Sequence, residues 1–135
     1  MAHDILQPQG WPRPSGYANG IVARGRQVFI AGQVGWNASG QITSDRFVEQ
    51  VRQALENVLA ILAEAGGRAE HVVRLTWYVT SRDEYLSALA PVGAAYRALF
   101  GRHYPAMSVV EVSGLVEEGA RVEIEATAVI PDANA

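Results

Sequence analysis

The 135-residue chain has no cysteine and no lysine, and each absence removes a class of chemistry. Without cysteine there is no disulfide scaffold, no zinc ribbon and no thiol nucleophile. Without lysine there is no Schiff-base amine and no P-loop phosphate ligand; all eleven basic residues are arginine, a bias that high-GC coding produces without functional cause. No apolar stretch approaches the ~20 residues that cross a bilayer. The opening Met-Ala-His-Asp-Ile-Leu-Gln-Pro lacks the basic-then-apolar order of a signal peptide, so no membrane partner and a cytoplasmic location are expected. A net charge of −3 with no basic run speaks against a nucleic-acid surface, which needs a concentrated positive stripe. His3, His71 and His103 have neither metal-ligand spacing nor companion cysteines, so no metal is expected. Nucleophile elbows and dinucleotide or phosphate loops are missing as well.

What is present is an ordinary globular composition, 49% hydrophobic and 19% charged, long enough for one domain with a real core. Residues 1–16, broken by Pro8, Gly10, Pro12, Pro14 and Gly16, read as an N-terminal arm; residues 17–131 form the domain and 132–135 a tail. Tyr17 to Ala23 and Gln27 to Ala31 read as a hairpin around Gly25. Thr43 or Ser44 then caps a helix to about Ala65, with Phe47, Val51, Ala54, Leu55, Val58, Ile61 and Leu62 on one stripe and Gly66-Gly67 as its stop. Val72 to Thr80 is a strand with Val73, Leu75, Trp77 and Val79 on one face. Ser81 to Glu84 forms a capping box that opens a second helical region, expected to break and restart at Pro91 and to end at Gly101. Residues 104–130 read as two strands joined by a charged turn. In the second, Val122, Ile124, Ala126 and Ala128 alternate with Glu123, Glu125 and Thr127. The order β-β-α-β-α-β-β gives an α+β fold, a mixed sheet with two helices packed on one face. The other face is too apolar for water and too polar for a core, which points to an oligomer.

Glu123, on the wetter face of a rigid strand, is the leading candidate for a base or water-orienting carboxylate. By spacing alone a solvated strand glutamate is the commoner case. Glu125 shares its face and Glu111 is expected on the neighbouring strand, so the carboxylates are candidates to raise one another's pKa. Tyr17 is a candidate pocket wall, against an ordinary packed turn aromatic. Ala31-Gly32 at a strand end offers close backbone approach to a ligand. Trp11 and Trp36, in Pro/Gly-rich segments with no periodic core to join, are candidates for a pocket or a subunit seam. His103 reads as a surface histidine at a helix end.

Taken together, Gly16-Tyr17-Ala18, Val28 to Gln33, Gln53 to Val58, Ala65-Gly66, Val72 to Thr76, Tyr96, Pro105-Ala106 and Val122 to Ala126 resemble the RidA/YjgF (L-PSP) family over roughly residues 14–130. The resemblance implies a chorismate-mutase-like fold and a homotrimer with a central barrel and a small-molecule cleft at each subunit interface. It also implies cofactor-free hydrolysis of enamines and imines such as 2-aminoacrylate to ketoacids and ammonia. Glu123 matches the family's water-holding glutamate and Tyr17 its pocket tyrosine. The departures are concentrated in the same cleft. The deaminating members' arginine after Pro-Ala is Met107, a serine is Ala31, an asparagine is Gly93 and a cysteine is Val109. Ala31, Gly32, Gly93, Met107 and Val109 are therefore expected substrate-binding positions in an arginine-lacking member, whose substrate is larger or less anionic than 2-aminoacrylate. Arg13, Arg74 and Arg121 are the candidates for a second arginine that reaches the cleft from a neighbouring chain, with Trp11 or Trp36 joining an apolar wall. A non-catalytic binding trimer is the alternative, and an endoribonuclease is disfavoured by the acidic, lysine-free composition.

Overall fold

A computed structural model of the chain describes residues 3–132; the first two residues of the expected arm and the last three of the expected tail lie outside them. Six strands and three helices form in the order β1 (His3–Leu6), β2 (Gly20–Ala23), β3 (Arg26–Gln33), α1 (Phe47–Glu64), β4 (Val72–Val79), α2 (Arg82–Ser87), α3 (Leu89–Phe100), β5 (Ala106–Glu111) and β6 (Val122–Ile130). The main sheet runs β3-β6-β4-β5, antiparallel except for the parallel pair β4–β5, while β1 and β2 form a separate antiparallel ribbon. Helices α1 and α3 pack on each other and α1 covers β3 and β6, which leaves one sheet face bare of helices. The α+β class and the one-sided helical layer are as expected, with one strand added at the N-terminus.

Two pairings differ from expectation, each for a local reason. Tyr17–Ala23 does not fold back on the following strand. The turn residue Gly25, at φ +145°, presses its backbone against the end of β6, where a Cβ would fall 2.1 Å from the Ile130 carbonyl oxygen. That contact carries the chain past β6, so β3 pairs with β6 and β2 with β1. The two C-terminal strands are likewise not neighbours, because β4 lies between them, and Glu111 is on β5 rather than beside Glu123. Its Oε1 accepts the Arg82 N–H at 2.6 Å and caps α2 instead.

The core comes from the apolar stripe of α1 and the inward residues of the sheet. Val51, Ala54, Leu55, Val58 and Leu62 are fully buried against Leu75, Val122, Ile124 and Ala128, each large side chain contributing roughly 1.5–3 kcal/mol. On β4 the buried series is Val72, Leu75, Trp77, Val79, not Val73, because a bulge between Val72 and Arg74 shifts the phase. Helix α1 starts at Phe47, later than expected; Ser44 Oγ accepts the Arg46 N–H one turn before it. Its end is a Schellman turn, with Gly66 N–H on Ala63 O and Gly67 N–H on Leu62 O. Ser81 caps α2 through the Glu84 N–H at 3.1 Å, but the Glu84 carboxylate turns to Arg121 at 3.0 Å instead of reaching back. The helical region breaks at Ala88, so Pro91 is the third residue of α3, where its missing N–H would have had no intrahelical acceptor.

Among the described residues, Gln50 is the one side-chain amide that is wholly buried. Its Nε2 donates to Ser44 O at 2.9 Å and Gly119 O at 3.0 Å, and its Oε1 accepts the Arg121 N–H at 2.8 Å. It thereby ties the start of α1 to the β5–β6 connection. Gln50→Leu removes these bonds and orphans their partners, and is expected to cost about 3 kcal/mol in urea unfolding.

His71 Nδ1 accepts the Arg68 N–H at 2.9 Å, and burial holds its pKa below 6.5. A proton on Nδ1 would break that bond, so protonation favours the unfolded chain. The contribution is full above the unfolded value near 6.5 and is lost as pH falls through the folded one. Stability measured between pH 7.5 and 5 should therefore decline more steeply in the parent protein than in His71→Gln.

Candidate functional site

Sheet alternation decides which side chains meet. On β5, Met107 pairs with Leu75 and Val109 with Trp77, both buried on the helix side. On β6, Glu123 pairs with Tyr78, whose position between Trp77 and Val79 sends it to the bare face. Glu123 and Met107 thus point to opposite faces of one sheet, and the expected site residues fall into two groups.

The first group surrounds a cavity of about 620 Å³ between β5 and helices α2 and α3. Tyr17, Gly93, Met107 and Val109 all line it, as do Trp77, Tyr85, Tyr96 and Tyr104. Tyr17 reaches it because its segment lies along the sheet edge: Ala18 bridges Ala106 in parallel, and its N–H donates to Pro105 O at 3.0 Å. Tyr96 stacks on Phe100 and Tyr104, and its hydroxyl donates to His103 O at 2.5 Å. Burial pushes the Tyr85 and Tyr96 phenols well above their ordinary pKa, so both stay neutral and keep their protons. Trp77 Nε1, fully enclosed, finds no acceptor among the described residues.

The second group, Ala31, Gly32 and Glu123, is absent from that cavity lining. Between Ile30 and Gln33 strand β3 carries a bulge, so Ala31-Gly32 swings out of the ladder beside β6. The half-buried Glu123 carboxylate occupies the space a side chain would take at residue 32: a Cβ there would lie 2.1 Å from Glu123 Oε2. Gly32 is therefore the seat of the carboxylate. On the same face, Tyr78 Oη donates to Glu125 Oε1 at 2.5 Å; that bond, then burial, then the neighbouring carboxylates raise the Tyr78 pKa.

The other candidates lie elsewhere in the chain. Trp11 is 60% exposed, and Trp36 donates its Nε1–H to Gln33 Oε1 at 3.2 Å; neither lines the cavity, whereas Trp77 does. His103 is not a surface group, since it is half-buried with Nε2 2.7 Å from Val72 O. Of the candidate arginines, Arg121 is paired with Glu84, Arg74 lies on the bare face and Arg13 is outside the cavity lining. The cation that does line the cavity is Arg97, on α3, which the sequence reading passed over. The signal for it was the Gly93–Arg97 spacing, which puts a residue without a side chain one helical turn before a guanidinium.

The comparisons with known proteins agree with this architecture. The family model described as Endoribonuclease L-PSP matches residues 12–130. A 2-iminobutanoate/2-iminopropanoate deaminase of Capra hircus is 34% identical over 130 residues, covering 96% of this chain and 91% of that protein. Among solved structures, a conserved Rid family protein of unknown function from Yersinia pestis superposes with a TM-score of 0.83 at 33% identity, covering 96% of this chain and 100% of that one. Escherichia coli TdcF with bound serine gives a TM-score of 0.67 at 33% identity over 94% and 98% of the two chains. With the family model spanning nearly the whole chain and this fold beneath it, the protein belongs to the RidA/YjgF (L-PSP) family.

Proposed function

We propose that the protein is a cofactor-independent deaminase that hydrolyses an enamine or imine to a carbonyl compound and ammonia, in a cleft shared by neighbouring copies of a homotrimer. The observation that carries this reading is the separation of Glu123 and the aromatic cavity by the sheet. Each half is built with care and neither is complete: the cavity has no carboxylate, and the carboxylate over Gly32 has no enclosure. A second copy that laid its Glu123 face over the first copy's cavity mouth would join them. The bare sheet face supports such docking, since Phe29 pairs with Thr127 there at 73% exposure and Val110 pairs with Tyr78 at 43%. The names of the deaminase relatives support the reaction class.

The chemistry follows from those groups. An enamine gains a proton on carbon and loses one from nitrogen to become the imine. Glu123 accepts a proton from water as the water oxygen bonds to the imine carbon, and nitrogen is protonated. The tetrahedral carbinolamine then collapses, the C–N bond breaks, and R₂C=NH plus H₂O becomes R₂C=O plus NH₃. Tyr17, Gly93, Met107 and Val109 form the substrate wall of one copy, and Ala31 and Gly32 border the substrate from the other, Gly32 leaving room for the Glu123 carboxylate. Neutral Met107 and Val109 give a small anionic imine nothing to bind on the strand side, and the cavity volume lies in the range that encloses larger ligands. The substrate is accordingly larger than 2-aminoacrylate.

Glu123→Gln is expected to lower kcat at least a hundredfold, the scale of a lost general base. Unchanged ammonia release would remove Glu123 from the mechanism. Ligand binding with no ammonia from any imine or enamine tested would favour a binding trimer, a reading that the loss of polar groups at positions 31, 93, 107 and 109 keeps open. The shared cleft has its own test. Glu123→Gln and a cavity-filling Gly93→Trp, each inactive alone, should recover about a quarter of parental activity when unfolded together and refolded, because one interface type in a mixed ring carries both intact halves. A site within one chain would recover nothing.

A further inference from the structure

We infer that Arg97 is the anion anchor of this cavity, and that the substrate carries a carboxylate together with an aromatic or long apolar body. The inference rests on the deaminase reading only for the reaction, not for the binding. Arg97 is the only charged residue among those lining the cavity; the others are aromatic, aliphatic, glycine or serine. Its guanidinium lies back along α3 over Gly93, with Nη1 3.1 Å and both Cζ and Nη2 3.9 Å from where a Cβ at residue 93 would stand. A Cβ at 93 would ask the guanidinium to shift by only a few tenths of an ångström, whereas a longer side chain would compete with it for the space. Arg97, an exposed residue, forms no ion pair or side-chain hydrogen bond among the described residues, a state it shares with Arg13, Arg24, Arg46, Arg74, Arg82 and Arg102.

An ordinary explanation is a helix-end arginine facing the macrodipole, because residue 97 falls in the last turn of α3. The guanidinium position argues against it. The last-turn carbonyls are at the Gly101 end, whereas the charge sits four residues toward the N-terminus, against a cavity that contains no anion of its own. A planar guanidinium with free donors at the rim of an aromatic chamber fits a carboxylate held bidentately. Tyr17, Tyr104, Trp77 and Met107 around the rest of the chamber fit an apolar body. Met107 therefore leaves the cavity with its cation on the helix wall, displaced from the strand, and that displacement selects a longer molecule than one gripped beside β5.

The test uses the intact protein and a product-like probe that cannot react, phenylpyruvate, with its methyl ester as the neutral control. Titration calorimetry should show that Arg97→Gln weakens phenylpyruvate binding about tenfold or more, that Arg97→Lys recovers part of the loss, and that ester binding is unchanged. Equal affinity of Arg97→Gln and the parent protein for phenylpyruvate would overturn the inference, as would equal loss of acid and ester, or no saturable binding of the acid by the parent. Glu123→Gln should still bind the acid, and the roughly tenfold loss on Arg97→Gln should persist in that background. Arg97-dependent binding without Glu123-dependent ammonia release would sink the deaminase reading and leave the anchor standing.

Discussion

The period-two geometry of β5 and β6, with β4 between them, is the constraint on which every other property of this molecule depends. Because β4 pairs parallel to β5 and antiparallel to β6, the residues of all three strands that face the helices are fixed together: Met107 and Val109, Leu75 and Trp77, Ile124 and Val122. The intervening residues, Glu123, Tyr78 and Val110 among them, are fixed on the other side. A one-residue slip would reverse both sets, burying carboxylates under α1 and exposing the core. The hydrophobic core thus enforces the placement of the functional groups. Stability and the separation of carboxylate from cavity have the same origin.

Much of this was legible in the sequence because it rests on short-range periodicity. The alternation Val122 to Ala128, the α1 stripe and the stop at Gly66-Gly67 each follow from spacing and from what glycine permits. The failures share a different character. Gly25 reads as a hairpin turn, and only its contact with the Ile130 carbonyl reveals that it steers the chain past another strand. The bulges at Val73 and at Ala31-Gly32 add a residue to one strand with no mark in composition, yet one shifts the phase of β4 and the other makes the seat for Glu123.

Arg97 escaped for a further reason. A search for cations guided by strands examines residues that alternate with the core, and an arginine on a helix rim is taken for a solvated one. The Arg97 guanidinium lies close over Gly93, and that nearness is read only from the folded chain. Trp77 is the converse case. It reads correctly as core, with only 2% exposure, but its alternation carries no hint that the same ring also walls a cavity.

The bare sheet face links these points energetically. Single exposed apolar residues are common and need no partner. Here Phe29 and Val110 stand exposed on a face shared with the half-buried polar residues Thr76, Tyr78, Glu125 and Thr127, without a helix to cover them. A face of that kind is poorly served by water, which leaves the aromatic exposed, and by a purely apolar partner, which would strand the carboxylates. A neighbouring copy that brings apolar and polar groups together, as the cavity mouth does, can bury the aromatic without stranding the carboxylates. In the proposed trimer the burial that drives assembly would also enclose Glu123, so subunit association and completion of the catalytic cleft would draw on the same surface. Lower water access around that carboxylate raises the energetic weight of its contact with a bound water. On the proposed reading, a carboxylate and a cavity on opposite sides of one sheet would make activity depend on assembly, since neither half would act until another copy supplied the other.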